Sequence, residues 1–173
     1  MNANKLLLYI ESDIIMKKLF IYIALLPTWI IFLIMVLFLI MSSQLPFGYT
    51  LFSFILLSWL LSVGLSLQNK VPTELRGPVT FFQINIFYGF IFLFIVDFFE
   101  VEQSPFLIPF QLYGVYSFFY SLYFVSRSLV IAEEQRKVRA DRYFGTLFLF
   151  WFAPIGIWFL NPRIKSCMKG GRA

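Results

Sequence analysis

Long runs of apolar residues, separated by short polar stretches, dominate the chain. A helix of about 20 apolar residues covers the hydrocarbon core of a bilayer, so four of these runs predict transmembrane helices. In chain order, predicted helices one to four cover residues 19–41, 51–68, 80–99 and 106–132. The pattern therefore predicts an all-α, polytopic helical bundle that forms a single membrane domain over residues 1–173.

A fifth apolar run, 144–160, is short and is interrupted by Pro154 and Gly156. Both residues weaken a helix, so the run either crosses the membrane as a kinked helix or turns back as a re-entrant or interfacial segment. Trp151 and Trp158 lie seven residues apart on one helical face, and tryptophan favours the membrane interface, which slightly favours the second alternative. The sequence leaves both alternatives open.

The two ends of the chain are more polar than its middle. Residues 1–18 predict a cytoplasmic or interfacial segment, and residues 161–173 form a basic tail. Met16 and the two lysines after it precede an apolar run, which is the pattern of a natural start. Residues 1–15 are therefore either an interfacial helix or extra upstream sequence.

Orientation follows from the basic residues, because positively charged loops stay in the cytoplasm. With the amino terminus in the cytoplasm, Lys70, Arg76 and the basic stretch 136–142 are cytoplasmic, while the uncharged turn 42–50 faces outward. The basic tail obeys the same rule only if residues 144–160 turn back. We therefore predict an integral membrane protein whose amino terminus lies in the cytoplasm.

The formal net charge of +5 fits the same orientation. Basic residues on the cytoplasmic side would contact anionic lipid headgroups. Nucleic acid is a poorer explanation, because the basic residues are scattered among loops and belong to no recognisable binding module.

Polar side chains inside the predicted helices carry what functional information there is, since they are costly in hydrocarbon unless they are paired. On predicted helix four, polar positions recur at spacings of three and four and form one stripe: Tyr113, Tyr116, Tyr120, Tyr123 and Arg127. On predicted helix three, Gln83 and Asp97 share a corresponding stripe. Gln83 and Arg127 lie at similar depth and are candidate hydrogen-bond partners, whereas Asp97 lies closer to Gln111 and Tyr113.

These stripes predict that helices three and four meet along polar side chains. The sharper hypothesis is a polar cavity that binds an ion or a small polar or lipid ligand between them. The ordinary alternative is that the tyrosines form an interfacial belt, that Arg127 extends to lipid phosphates and that Asp97 is solvated.

Small residues on predicted helix two indicate helix packing. Ser58, Ser62 and Ser66 recur at a spacing of four, which places three small side chains on one face. Such a face allows another helix, or a second copy of the chain, to approach closely.

Catalytic groups are scarce. The chain has no histidine and a single cysteine, Cys167, and it contains no Ser-His-Asp arrangement, no H-E-x-x-H and no phosphate-binding glycine loop. We therefore expect a protein that is not an enzyme and needs no metal or cofactor.

The stretch from Pro154 to Ile164 reads P-I-G-I-W-F-L-N-P-R-I. It resembles the ending of a group of small, uncharacterised bacterial membrane proteins that close with P-I-G-I-W-x-x-x-P-R-I. The resemblance covers about 20 residues and implies a bacterial location in the cytoplasmic membrane. It implies no activity, cofactor or site.

Taken together, the sequence predicts a non-enzymatic multi-pass membrane protein. We expect an accessory or structural subunit that binds another membrane protein or lipid, with a homo-oligomer as a further possibility. The alternative is a small transporter or pore component with a polar path between helices three and four.

Overall fold

The computed structural model describes residues 15, 18–42, 48–98 and 108–169, and these residues form helices and short connections. The prediction of an all-helical bundle is confirmed. In chain order the helices are α1 (Lys18–Ala24), α2 (Thr28–Ser42), α3 (Gly48–Gln68), α4 (Val79–Phe98), α5 (Ile108–Glu134), α6 (Ala140–Trp151) and α7 (Ala153–Lys169), with a short 3-10 helix at Thr73–Leu75. Residues 1–14, most of the loop 42–50 and the connection 99–107 lie outside the described residues.

The helices α3, α4 and α5 form the centre of the bundle, and all three are long and apolar enough to cross a membrane. The ring of Phe82 on α4 stacks on Phe124 of α5, with ring centroids 4.3 Å apart. α3 contacts this pair through Gly64, where an added Cβ would lie only 2.7 Å from the Phe82 ring. Gly64 therefore lets an aromatic ring pack directly on the backbone of α3.

The first predicted span is not one straight helix. α1 and α2 meet at an angle of 82° at the break around Pro27. Proline has no amide proton and disfavours a helical residue before it, so α1 ends at Ala24 and α2 begins at Thr28. α2 has 15 residues and is about 22 Å long, which is shorter than a typical hydrocarbon core. The described residues thus contain three helices that are long and apolar enough to cross a membrane, or four spans if the bent pair is one span, and the prediction of four clear spans is not confirmed.

The fifth apolar run forms a helical hairpin. α6 ends at Trp151, α7 begins at Ala153, and the backbone of Gly156 packs against the carbonyl group of Leu149. Seventeen residues separate Thr146 from Arg163, yet the guanidinium of Arg163 donates to the Thr146 hydroxyl at 3.2 Å. One continuous helix would hold these two residues about 25 Å apart. The chain therefore reverses direction at Phe152.

The loop between α3 and α4 and the connection after α5 lie at one end of the bundle, which we call the charged end. Arg163 of α7 binds Glu133 at the end of α5 through two bonds of 2.6 and 2.7 Å. The side-chain amide of Gln135, which follows α5, donates to the carbonyl of Lys70 in the loop between α3 and α4 at 3.0 Å. We call the opposite end, where α3 and α5 begin, the far end.

Candidate binding cavity

A cavity of about 580 Å³ lies between α3, α4 and α5. Its walls are largely apolar and aromatic. The lining residues are Phe52, Ser53, Leu56 and Leu57 of α3; Asn85, Gly89, Phe92 and Leu93 of α4; Gln111, Gly114, Val115, Ser117, Phe118, Phe119 and Ser121 of α5; and Trp151 of α6. A volume of this size, with few polar groups among apolar walls, is typical of ligand sites in proteins.

The hairpin explains why this space is open. α6 has 12 residues and is about 18 Å long, whereas α5 has 27 residues and is about 40 Å long. The tip of the hairpin therefore ends part-way along α5, where the Trp151 ring packs on Phe119 with centroids 4.6 Å apart. Trp151 bounds the cavity, and no part of α6 beyond it fills the space towards the far end.

Three buried polar residues line the cavity and are linked through the backbone. The Ser121 hydroxyl donates to the carbonyl of Ser117 at 2.8 Å, and the Ser117 hydroxyl donates to the carbonyl of Asn85 at 2.6 Å. The Asn85 amide nitrogen donates to the carbonyl of Phe81 at 2.8 Å. Each of the three residues is only 1% exposed. The Oδ1 atom of Asn85 has no hydrogen-bond partner among the described residues.

The predicted tyrosine stripe lies elsewhere on α5. Tyr113, Tyr116 and Tyr123 are 37%, 50% and 40% exposed, so they face the outside of the bundle, and none of the four tyrosines lines the cavity. Their rings form a ladder with their neighbours: Tyr113 packs edge-on against Tyr88 of α4, and Tyr120 packs edge-on against Phe81. Two hydrogen bonds join α4 and α5: the Ser117 hydroxyl donates to the carbonyl of Asn85 at 2.6 Å, and the Tyr88 hydroxyl donates to the carbonyl of Phe110 at 2.8 Å. The four tyrosines of the predicted stripe form an aromatic surface beside these bonds.

The other members of the predicted stripe are dispersed. Arg127 donates to the carbonyl of Leu75 at 3.2 Å and so holds the loop between α3 and α4, whereas Gln83 is half-buried on α4. The structure therefore gives Arg127 a different partner from the predicted Gln83. Gln111 is exposed and lines the cavity. Asp97 lies in the last turn of α4, and its side chain is outside what the structure describes.

The serine face of α3 is divided. Ser62 and Ser66 are buried, at 1% and 3% exposure, whereas Ser58 is exposed. The Ser62 hydroxyl donates to the carbonyl of Ser58 at 2.8 Å, so its hydrogen-bond partner lies within α3 itself. At Gly64 the Phe82 ring of α4 packs directly against the backbone of α3, a contact that the serine spacing did not indicate.

Pro154 and Gly156 lie at the hairpin turn, directly after the break at Phe152. Pro154 occupies the first turn of α7, where its missing amide proton costs nothing. At Gly156 the backbones of the two helices lie in direct contact: an added Cβ would lie 1.9 Å from the Leu149 carbonyl oxygen. The predicted break is therefore a reversal of the chain, and the glycine makes it possible.

Sequence reasoning missed Asn85, Ser117, Ser121 and Trp151 as a group. The available signal was Asn85 itself, a strongly polar amide in an otherwise apolar run. Serines at positions 117 and 121 share one helical face, but nothing in the sequence directs that face towards α4.

Comparison of the chain with protein-family models, with curated proteins and with solved structures gives no match in any of the three.

Proposed function

We propose that this chain is a non-enzymatic integral protein of the bacterial cytoplasmic membrane that binds an apolar or amphiphilic molecule from the bilayer inside its helical bundle. The observation that carries the proposal is the cavity of about 580 Å³ between α3, α4 and α5. Its walls contain four phenylalanines and one tryptophan, which suit hydrocarbon chains and rings.

In the proposed arrangement the charged end faces the cytoplasm and the α6–α7 hairpin enters and leaves the membrane from that side. The contact between Arg163 and Glu133 supports it, because this contact holds the basic end of α7 beside the end of α5. Lys70, Arg76 and the basic connection 136–142 lie at the same end, as expected of cytoplasmic loops. Protein encloses part of the turn, because Phe150 and Ala153 on either side of the reversal are fully buried, while the side chain of Phe152 at the reversal is 57% exposed.

The chemistry of the lining supports binding rather than catalysis. Among the lining residues that the structure describes, none carries a carboxylate, an ammonium, a guanidinium or a thiol. Acid–base or nucleophilic catalysis needs at least one such group or an activated hydroxyl. Here the buried serine hydroxyls donate to backbone carbonyls, with no base beside them.

A transport path between the predicted helices three and four stays a prediction, as does a membrane-protein partner or a homo-oligomer. The tyrosines that were expected to line the path face outward, so we do not base a second proposal on them.

A variant that fills the cavity tests the proposed function. Val115 lines the cavity but is 56% exposed, so a tryptophan there would obstruct the space with little effect on buried packing. Leu112, three residues earlier and 66% exposed, is outside the lining, and Leu112→Trp is the matched control. Native mass spectrometry in mild detergent and lipid extraction would identify molecules that purify with each protein.

We expect wild type and Leu112→Trp to retain a bound apolar molecule and Val115→Trp to lose most of it. Absence of any bound molecule from folded wild type, or equal retention by Val115→Trp, would contradict the proposal.

A further inference from the structure

We propose that the bound molecule is a lipid with two hydrocarbon chains, one in each of two neighbouring cavities, whose chains join beside Gln111. This inference rests on the proposed function and specifies its ligand class. It starts from a second cavity, of about 370 Å³, which is lined by α4 and α5. We call the cavity of about 580 Å³ the first cavity.

The second cavity has largely apolar walls, like the first. Ile91, Ile95 and Val96 of α4 and Phe110 of α5 contribute to its lining. All four side chains are exposed at the surface of the bundle, where lipid lies against a helix that spans a membrane. A hydrocarbon chain can therefore enter this cavity directly from the bilayer.

The ring of Phe92 separates the two cavities. Phe92 lines both of them, and its ring packs on the backbone of α5 at Gly114, where an added Cβ would lie 3.2 Å from the ring. The ring of Tyr88 stacks on the same ring, with centroids 6.1 Å apart. Gly114 lines the first cavity and Tyr88 lines the second, so the Phe92 ring stands between the two spaces.

Gln111 also lines both cavities, and it is where they come together. It precedes Gly114 by three residues, so it lies about one helical turn nearer to the far end than the contact with Phe92. Its side chain is exposed, and its amide can both donate and accept hydrogen bonds. A molecule that fills both cavities therefore divides into two apolar arms beside a polar group.

The depth of Gln111 fits the region where the chains of a membrane lipid join its glycerol. Gln111 and Glu133 are 22 residues apart on α5, which is about 33 Å along the helix axis. The hydrocarbon core of a bilayer is about 30 Å thick. With Glu133 at the charged surface, Gln111 lies at the opposite boundary of the hydrocarbon, within reach of ester carbonyls.

The chemistry of the two linings favours a two-chain ester lipid over a free fatty acid. Among the described residues, neither lining contains a charged side chain. A fatty acid would place its carboxylate beside Gln111 without a basic partner, whereas the ester groups of a two-chain lipid are neutral and accept from the amide. Two joined chains also bind more strongly than two separate ones, because the second chain is held near its site by the first.

Photolabelling with two matched probes tests this inference. One probe is a phosphatidylcholine with a diazirine in one chain, and the other is the lysophosphatidylcholine that carries the same chain alone. The full chain would be reconstituted in phosphatidylcholine vesicles with each probe at equal mole fraction and irradiated. Labelled peptides would be identified by mass spectrometry and normalised to the labelling of α2, which lines neither cavity.

On wild type we expect the two-chain probe to label the first-cavity residues of α5 about three- to tenfold more than the single-chain probe. The expected ratio is modest because contacts formed within a membrane contribute only modest free energies.

The variant Ile91→Trp fills the second cavity and leaves the first unchanged. Ile91 lines only the second cavity and is 59% exposed, so the larger side chain disturbs little buried packing. The matched control is Ile84→Trp, because Ile84 lies seven residues earlier on the same face of α4, is 53% exposed and lines neither cavity. We expect Ile91→Trp to lower two-chain labelling of the first cavity to the single-chain level, and Ile84→Trp to leave it unchanged.

The variant Gln111→Leu keeps a similar side-chain volume and removes the amide. We expect it to lower two-chain labelling about threefold, which is the effect of one lost hydrogen bond. Thermal melting would show that each variant is folded.

The outcomes separate the two proposals. Equal labelling of the first cavity by both probes in wild type, or undiminished two-chain labelling in folded Ile91→Trp or Gln111→Leu, would overturn the inference and leave a site for a single chain in place. Failure of both probes to label the first cavity above the level of α2 would overturn the proposed function itself.

Discussion

Asn161 of α7 illustrates how single buried side chains hold this bundle together. It is fully buried, and its amide donates to the carbonyl of Leu26 at 3.0 Å and to the hydroxyl of Thr28 at 2.9 Å. Both acceptors flank Pro27, whose missing amide proton interrupts the helix and leaves carbonyl groups without helical partners. One side chain thus compensates for a break that lies 135 residues earlier in the chain.

Asn161→Leu should destabilise the protein by about 1–3 kcal/mol, because it removes the donor from the part-buried Leu26 carbonyl. Thr28→Val removes only one acceptor and should cost less. Thermal melting in detergent would compare the two, and an Asn161→Leu protein as stable as wild type would contradict the role assigned to Asn161.

Cys167 is the single thiol of the chain, and its surroundings make it unreactive. It is 8% exposed, and burial, together with the nearby carboxylate of Glu133, raises its pKa from the ordinary value of 9.0 to about 11. The reactive thiolate is therefore about 100-fold scarcer at pH 8 than for an ordinary thiol of that value.

We expect Cys167 to react slowly with maleimide at pH 8 and progressively faster as the pH rises towards 11, in contrast to a cysteine at the exposed position 169. The raised pKa also predicts that the stabilising effect of the neutral thiol is complete below pH 9 and is lost between about pH 9 and 11. Fast labelling at pH 8 in folded protein would show that the thiol is not enclosed in this way.

The α6–α7 hairpin is the element on which the cavity depends, and two glycines allow it to be tested. At Gly156 an added Cβ would lie 1.9 Å from the Leu149 carbonyl oxygen, whereas at Gly145 of α6 it would meet nothing within 4 Å. The same chemical change thus has opposite consequences 11 residues apart.

Gly156→Ala should force the hairpin open and sharply reduce the yield of folded protein, because the contact is with backbone and cannot be relieved by a rotamer change. Gly145→Ala should be neutral or stabilise α6 by up to about 1 kcal/mol through helix propensity. Melting temperature and monodispersity after purification would compare the two. Equal behaviour of the two variants would contradict the hairpin geometry.

The sequence predicts the boundaries of the long helices well and the directions of their faces poorly. The long helices follow from the apolar runs: α4, predicted over 80–99, extends over Val79–Phe98, and α5, predicted over 106–132, extends over Ile108–Glu134. The apolar runs do not predict which face of a helix points into the bundle. α5 is apolar on most sides, so hydropathy cannot indicate whether its tyrosine face or its serine face is buried.

The break at Pro27 shows a second limit. Proline inside an apolar run is tolerated in many membrane helices. Here the bend of 82° is accompanied by hydrogen bonds from Asn161 on α7 to both sides of the break. The contact of Asn161 with this break depends on the tertiary structure, and no pattern in the sequence around Pro27 predicts it.

Across the whole molecule, the bond between Arg163 and Glu133 connects the hairpin to the central helices. The side chains are 34% and 16% exposed, and the two bonds of 2.6 and 2.7 Å form a bidentate pair. Hydrogen bonding to Glu133 raises the pKa of Arg163, so this residue stays charged at every accessible pH.

Arg163→Gln should destabilise the fold by about 1–3 kcal/mol, because Glu133 loses its charged partner. The double variant Glu133→Gln with Arg163→Gln should recover part of this loss, because neither charge is then left unpaired. A thermodynamic cycle from the melting of the four proteins would measure the coupling, and strictly additive effects would contradict a direct bond.

The central claim is that the hairpin returns the basic tail to the side of the loop between α3 and α4, which leaves the cavity open beyond its tip. Cysteine accessibility in intact cells tests it most directly, in a Cys167→Ser background. Lys169→Cys would report the tail, with Arg136→Cys as the control for the charged end and Tyr49→Cys as the control for the far end, since all three positions are exposed. A membrane-impermeant thiol reagent should label Tyr49→Cys in intact cells, and should label Lys169→Cys and Arg136→Cys only after the cells are opened. Labelling of Lys169→Cys in intact cells together with Tyr49→Cys would mean that residues 144–160 cross the membrane, and it would contradict the account.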